Sequence, residues 1–207
     1  MEKQLIQGLN QLEIEFDEAQ KNKLLAFVEL LVKWNKVYNL TAVRNPDDMI
    51  SLHLLDSLSL LPFINSTHRL LDVGSGAGLP GIPLAIFKPE ISFELLDSNI
   101  KKTRFIQQAI TELGLKNVKV VHERVEKYLP NDSFDCITTR AFATIAQTLT
   151  LVEPLLNAKS KVLFMKSNTA ESELTELPPV YQHRTIELTV PGISANRCLV
   201  ELSREAE

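Results

Sequence analysis

The chain has 207 residues, 44% of them hydrophobic and 23% charged, with 7 Gly, 10 Pro, 2 Cys and a formal net charge of -4. These values exclude fibrous, collagen-like and disordered classes. Charges at Glu2, Lys3, Glu13, Glu15, Asp17 and Glu18 remove any signal-peptide character, and no apolar run approaches the ~20 residues that span a bilayer, so a cytoplasmic protein without a membrane partner is expected.

The first forty residues read as helical. A weak helix around Lys3 to Leu12 precedes one on which Leu24, Phe27, Val28, Leu31 and Trp34 recur at the three-and-four spacing of a core-facing stripe. Asn45-Pro46-Asp47-Asp48 is a turn into a further helix carrying Met49 to Leu61. Pro62 and the polar Asn65-Ser66-Thr67 mark a linker, which divides a helical region 1–65, packed on the core, from a domain 66–207.

Short apolar runs then alternate with helical stretches. Leu70–Val73, Phe93–Leu96, Val118–Val121, Cys136–Thr139 and Val162–Met165 read as strands of a parallel sheet covered by helices. Tyr181–Val190, the turn at Pro191-Gly192 and Cys198–Leu202 add two strands joined by a hairpin-like connection. Cys136 and Cys198 lack CxxC or Cys/His partners at metal spacing, so two reduced buried thiols and no metal are expected.

Between Asp97 and Lys127 seven basic residues face four acidic ones, whereas from Asn168 onward three face seven. The first region, with Lys101, Lys102 and Arg104, suits a polyanion and the tail does not. An ordinary solvated helix face would show the same excess.

The most informative stretch runs from Leu70 to Gly81, LLDVGSGAGLPG, a strand entering a glycine-rich turn and then a helix. Gly76, Gly78 and Gly81 satisfy the GxGxxG of dinucleotide sites, but Pro80 and Pro83 remove backbone donors that a pyrophosphate would need. Asp72, two residues before Gly74, repels phosphate and attracts a cationic amine, which favours S-adenosylmethionine. A strand-end cap on loop N–H groups is the alternative role for Asp72. Asp97 closes the next strand about twenty residues on, where a carboxylate accepts from ribose hydroxyls or caps the following helix. Arg124-Val125-Glu126 and Arg140 follow the third and fourth strands at the carboxyl edge, where ligands of open α/β sheets collect. His53 and Asp56, three apart on a helix, would share a face as a hydrogen-bonded pair, touching substrate or tying the helices to the sheet. Asn39 and Thr41 cap a turn.

The run Asp72 to Pro83, with Trp34-Asn35-Lys36-Val37-Tyr38-Asn39-Leu40-Thr41 and His53-Leu54-Leu55-Asp56-Ser57 upstream, resembles the RsmG (GidB) small-subunit ribosomal RNA methyltransferases over residues Leu24 to Leu202. The two helical signatures make the match specific, since the glycine motif is shared by many class I methyltransferases. The resemblance implies a Rossmann-like, mostly parallel seven-stranded sheet with helices on both faces and an N-terminal helical extension. It also implies methyl transfer from S-adenosylmethionine to N7 of guanine 527 in the 530 loop of 16S rRNA, free or in the small ribosomal subunit. Position by position it implies cofactor contacts at Gly74, Leu79, Val125, Glu126 and Arg140, to which Asp72, Gly76 and Asp97 are added here. The family's Lys-Gly after the fifth strand is Lys166-Ser167 in this chain, which argues against an unusual backbone angle at the second position.

Guanine N7 carries an in-plane lone pair and no proton, so its methylation needs no general base. Orientation alone can supply roughly 7–11 kcal/mol, with Arg140, Lys166 and His53 as positioning candidates. A monomer is expected. A class I methyltransferase of a small molecule and a noncatalytic nucleoside-binding module are the competing readings; an NAD-dependent oxidoreductase is disfavoured by Pro80 and Pro83.

Overall fold

The computed structural model describes residues 1–167, 171–175 and 177–204. Helix α1 (Glu2–Gln11) is followed by α2 (Glu18–Tyr38), whose start is fixed reciprocally: the Asp17 carboxylate accepts from the Gln20 N–H and the Gln20 side chain accepts from the Asp17 N–H. Asn39 ends α2 at φ 51°, a left-handed conformation that Asn tolerates. The next helix starts on the Asn45 side-chain cap as α3 (Pro46–Met49), passes through a π-helical stretch (Ile50–Leu55), and finishes as α4 (Asp56–Leu58). The expected uninterrupted helix to Leu61 is thus corrected twice, by the π turn and by an early end. Pro62, which has no N–H to donate, sits instead in a 3-10 turn (Leu61–Phe63).

Seven strands follow: β1 (Arg69–Val73), β2 (Ser92–Asp97), β3 (Val118–His122), β4 (Phe134–Arg140), β5 (Leu156–Lys166), β6 (Tyr181–Glu187) and β7 (Cys198–Arg204). They form one sheet in the order β3-β2-β1-β4-β5-β7-β6, parallel throughout except for β7, which is antiparallel to both neighbours. The chain leaves β1 toward β2 on one side and later returns to β4 on the other. This makes the gap above β1 and β4 the switch point where such sheets take ligands. Registers Val73↔Leu96, Val73↔Thr139 and Arg140↔Met165 bring Val73, Asp97, Arg140 and Lys166 to one carboxyl edge.

Helices α5 (Gly81–Phe87) and α6 (Ile100–Leu113) cover one face together with α1, α2 and the π stretch, and α7 (Ile145–Val152) covers the other. The periodic face of α2 is buried at Leu24, Phe27, Val28 and Leu31, and the Phe105 ring lies 6.0 Å from Phe27 and 5.7 Å from Trp34. The N-terminal helices therefore share a continuous apolar cluster with the sheet.

Helix α5 packs tightly against β1. A Cβ added at Gly81 would lie 2.8 Å from Asp72 Oδ2 and 2.9 Å from two carbons of Leu95. Gly81→Ala is accordingly expected to lower stability by about 1–3 kcal/mol through overpacking. A urea titration checks this, and an unchanged midpoint contradicts it.

Candidate functional site

Two cavities open beside each other along the carboxyl edge and share Ala141 and Phe142. One, of about 340 Å3, is lined by Val73, Gly74, Leu96, Asp97, Ser98, Lys102, Glu123, Arg124, Val125 and Glu126. The other, of about 410 Å3, lies toward the N-terminal helices and β7, between His53, Asp56, Arg140, Arg197, Phe164, Lys166 and Leu188.

The end of β1 and the first glycine of the turn, Val73 and Gly74, line the smaller cavity. Most of the turn's backbone donors are already engaged: Gly74 and Ser75 donate to the Leu96 carbonyl, Gly78 and Leu79 to that of Ser75, and Ile82 to that of Gly78. Gly76 donates to Asp97 Oδ2 at 2.9 Å and Gly81 to Asp72 Oδ2 at 2.9 Å. With Pro80 and Pro83 contributing no donor, the loop is arranged against a bound pyrophosphate. Asp97 also accepts from the Asn99 N–H at 2.8 Å, and Lys102 Nζ stands 3.7 Å from it. Gly74 (φ 69°) is close beneath Phe142: a Cβ there would meet Phe142 Cδ2 at 2.5 Å.

Of the sequence-derived candidates, Gly74, Asp97, Val125 and Glu126 gather around this cavity. Gly76, Leu79 and Asp72 line neither cavity. Leu79 is in the core, and Asp72 is wholly buried as the cap on Gly81. Arg140 lines the larger cavity with Lys166 and His53.

There, Asp56 is the hub. Its Oδ2 accepts from Arg140 Nη1 at 3.0 Å and its Oδ1 from Arg197 Nε at 3.1 Å, so one carboxylate joins the N-terminal helices to the end of β4 and the start of β7. Arg140 Nη1 also donates to the Leu52 carbonyl at 3.1 Å. Lys166 Nζ pairs with Glu173, 2.9 Å away, on the short helix α8 (Glu171–Leu174).

His53 does not bond Asp56. The intervening π turn changes the angular spacing, so residues three apart no longer stack as they do on an α-helix. The imidazole Nδ1 lies 3.0 Å from the Leu52 carbonyl, an obligate acceptor, so the network puts the proton there. Nε2 accepts from the Thr41 hydroxyl at 2.9 Å.

Thr41 is thus a partner of the histidine as well as an acceptor for the Val43 N–H. Ser167 has no positive φ, in keeping with a residue that needs no glycine there. Both cysteines are buried; Cys198 lines the larger cavity, and burial pushes the Cys136 thiol up to about 12.

Two buried titrations act in opposite directions. Burial raises the Asp72 carboxyl to about 7, opposed by the Gly81 N–H and the Arg140 cation and aided by Asp97. The native state then holds this proton more tightly than the unfolded chain. Its stability contribution is complete below the ordinary value of 3.8 and is lost as pH rises toward 7. His53 is pushed down to about 4, first by burial and then by Arg140, so its contribution is complete above 6.5 and lost as pH falls toward 4. Asp72→Asn removes only the first slope. The urea midpoint of the variant minus that of the wild type is expected to rise steadily between about pH 4 and pH 7; parallel midpoints would contradict the assignment.

Residues 20–200 match the family model described as rRNA small subunit methyltransferase G (GidB). The ribosomal RNA small subunit methyltransferase G of Stutzerimonas stutzeri is 49% identical over 203 residues, covering 97% of this chain and 94% of that protein. That of Ectopseudomonas mendocina is 50% identical over 203 residues, covering 97% and 95%. Among solved structures, a putative O-methyltransferase from Klebsiella pneumoniae superimposes with a TM-score of 0.63 at 13% identity, over 93% of this chain and 92% of that one. The N-methyltransferase NodS from Bradyrhizobium japonicum, solved with S-adenosyl-L-homocysteine, gives 0.60 at 13% identity over 84% and 100%. These two establish the class I methyltransferase fold. Sequence identity near one half over almost the full length goes further: the chain belongs to the rRNA small subunit methyltransferase G (GidB) family, as an S-adenosylmethionine-dependent methyltransferase of ribosomal RNA.

Proposed function

We propose that the protein methylates N7 of guanine 527 in the 530 loop of 16S rRNA, acting as a cytoplasmic monomer without a metal. The observation that carries this reading is how the larger cavity holds its polar groups. Arg140 and Arg197 are tied to Asp56, Lys166 to Glu173, and the neutral His53 to Thr41. Such a set grips and orients, and N7, having no proton to lose, asks for nothing else.

The smaller cavity fits the nucleoside part of S-adenosylmethionine. Asp97 retains lone pairs for ribose hydroxyls, Val125 offers an apolar wall, and the occupied loop donors suit a ligand without phosphate. When bound, the cofactor supplies an electrophilic methyl group. Gly74, Asp97, Val125 and Glu126 hold it; Gly76, Leu79 and Asp72 shape the turn beneath. Arg140, Lys166 and Arg197 attract the anionic acceptor strand. The helical region 1–65 forms one side of the acceptor cavity, and the exposed Lys101 and Arg104 on α6 extend the positive edge toward RNA.

The test is incubation of purified protein with methyl-labelled S-adenosylmethionine and either unmethylated 30S subunits or bulk small RNA, followed by nucleoside analysis. Labelled 7-methylguanosine confined to 16S rRNA is the expected product. Cofactor binding without transfer to any RNA would overturn the reading in favour of a small-molecule acceptor or a noncatalytic module.

A further inference from the structure

We infer that Phe142 is the aromatic surface on which the target guanine packs once it leaves the RNA stack, a contact that determines acceptor specificity. The inference rests on the proposed purine acceptor in RNA. Phe142 belongs to the walls of both cavities and stands at their junction. It is 38% exposed, whereas Phe164, the other phenylalanine of the larger cavity, is buried. One part of its ring rests on Gly74, where a Cβ would come within 2.5 Å of it, so the glycine that lines the cofactor cavity also seats this side chain. The preceding Ala141 has φ 53°, a left-handed conformation seldom taken by a residue with a Cβ. Such backbone persists where the surroundings hold it, and it gathers at functional sites.

The chemistry matches the position. A base withdrawn from its stack loses the faces of its neighbours, and an aromatic side chain replaces one of them. Stacking engages the π-face and leaves the in-plane N7 lone pair free, so a purine lying on Phe142 can direct that lone pair along its own plane toward the partition between the cavities. The cations Arg140, Arg197 and Lys166 lie in the same cavity, available to the electronegative O6 edge and to phosphates.

Two variants separate this role from packing. Phe142→Leu keeps apolar bulk without a π-face, and Phe142→Tyr keeps both. On unmethylated 30S subunits, Phe142→Leu is expected to lose roughly 10- to 100-fold in kcat/KM, the range of one lost base–aromatic stack. Phe142→Tyr should retain activity. Because Phe142 also borders the cofactor cavity, S-adenosylhomocysteine affinity is measured alongside and in Phe142→Leu should fall by less than kcat/KM does, and saturable binding shows that both variants are folded. Wild-type kcat/KM in Phe142→Leu would overturn the inference, and so would an equal loss of S-adenosylhomocysteine affinity, which would make the ring a cover for the cofactor. A wild-type enzyme that forms no 7-methylguanosine on 30S subunits would overturn the acceptor reading and this inference together.

Discussion

Asp97→Ala is expected to weaken binding of S-adenosylhomocysteine by roughly ten- to a hundredfold, the range for hydrogen bonds to an ionised partner. The carboxylate has two tasks. Oδ2 holds the Gly76 N–H and Oδ1 the Asn99 N–H, which fixes the glycine turn relative to the start of α6. Its remaining lone pairs face the smaller cavity, where the proposed ribose would donate. Truncation removes the ligand contact and releases the turn, so cofactor affinity falls more than overall stability. Asp97→Asn keeps an acceptor oxygen and should be intermediate. Lys102, 3.7 Å away, would then lose this ion-pair partner. Isothermal titration calorimetry reads all three proteins, and wild-type affinity in the alanine variant would remove Asp97 from the binding site.

The central strands β1, β2, β4 and the second half of β5 were legible because they are buried on both sides. Val162–Met165 is a continuous apolar run, and Leu70–Val73 and Phe93–Leu96 are apolar apart from Asp72 and Glu94, which is how strands of a covered parallel sheet read. The cofactor side of the site was legible for a related reason: glycines and a carboxylate at strand ends can be recognised from spacing along the chain alone. The acceptor side was not. The π turn leaves the apolar pattern of Ile50, Leu54, Leu55 and Leu58 close to that of an α-helix while moving His53 away from Asp56. Arg197 reaches Asp56 across 141 positions of sequence, and its only local mark is to be one of three basic residues in an acidic tail. The left-handed Ala141 carries no glycine to announce it. Contacts that depend on strand order, such as the Arg140–Asp56–Arg197 bridge, emerge only when β7 inserts next to β5.

That bridge carries the other large effect. Arg140→Ala is expected to lower kcat/KM on 30S subunits by about a hundredfold or more, the scale of a misplacement near 1 Å at a reacting centre. The side chain has one nitrogen on both Asp56 and the Leu52 carbonyl, so it ties the π stretch to the end of β4 while its charge faces the acceptor cavity. Arg140→Lys keeps the charge but not the planar fork, and is expected to recover only part of the activity. Because the guanidinium positions and does not exchange protons, the shape of the pH–rate profile should survive the substitution. The neighbouring histidine is the sensitive control. Arg140 is one cause of the low His53 value, but burial is the larger cause, so His53 stays neutral near pH 7 in the variant too. A lower rate with an unaltered profile is therefore the expected result. A new limb between about pH 6 and pH 8 would mean that His53 had begun to titrate there, and that Arg140 governs the protonation state of the cavity as well as its shape.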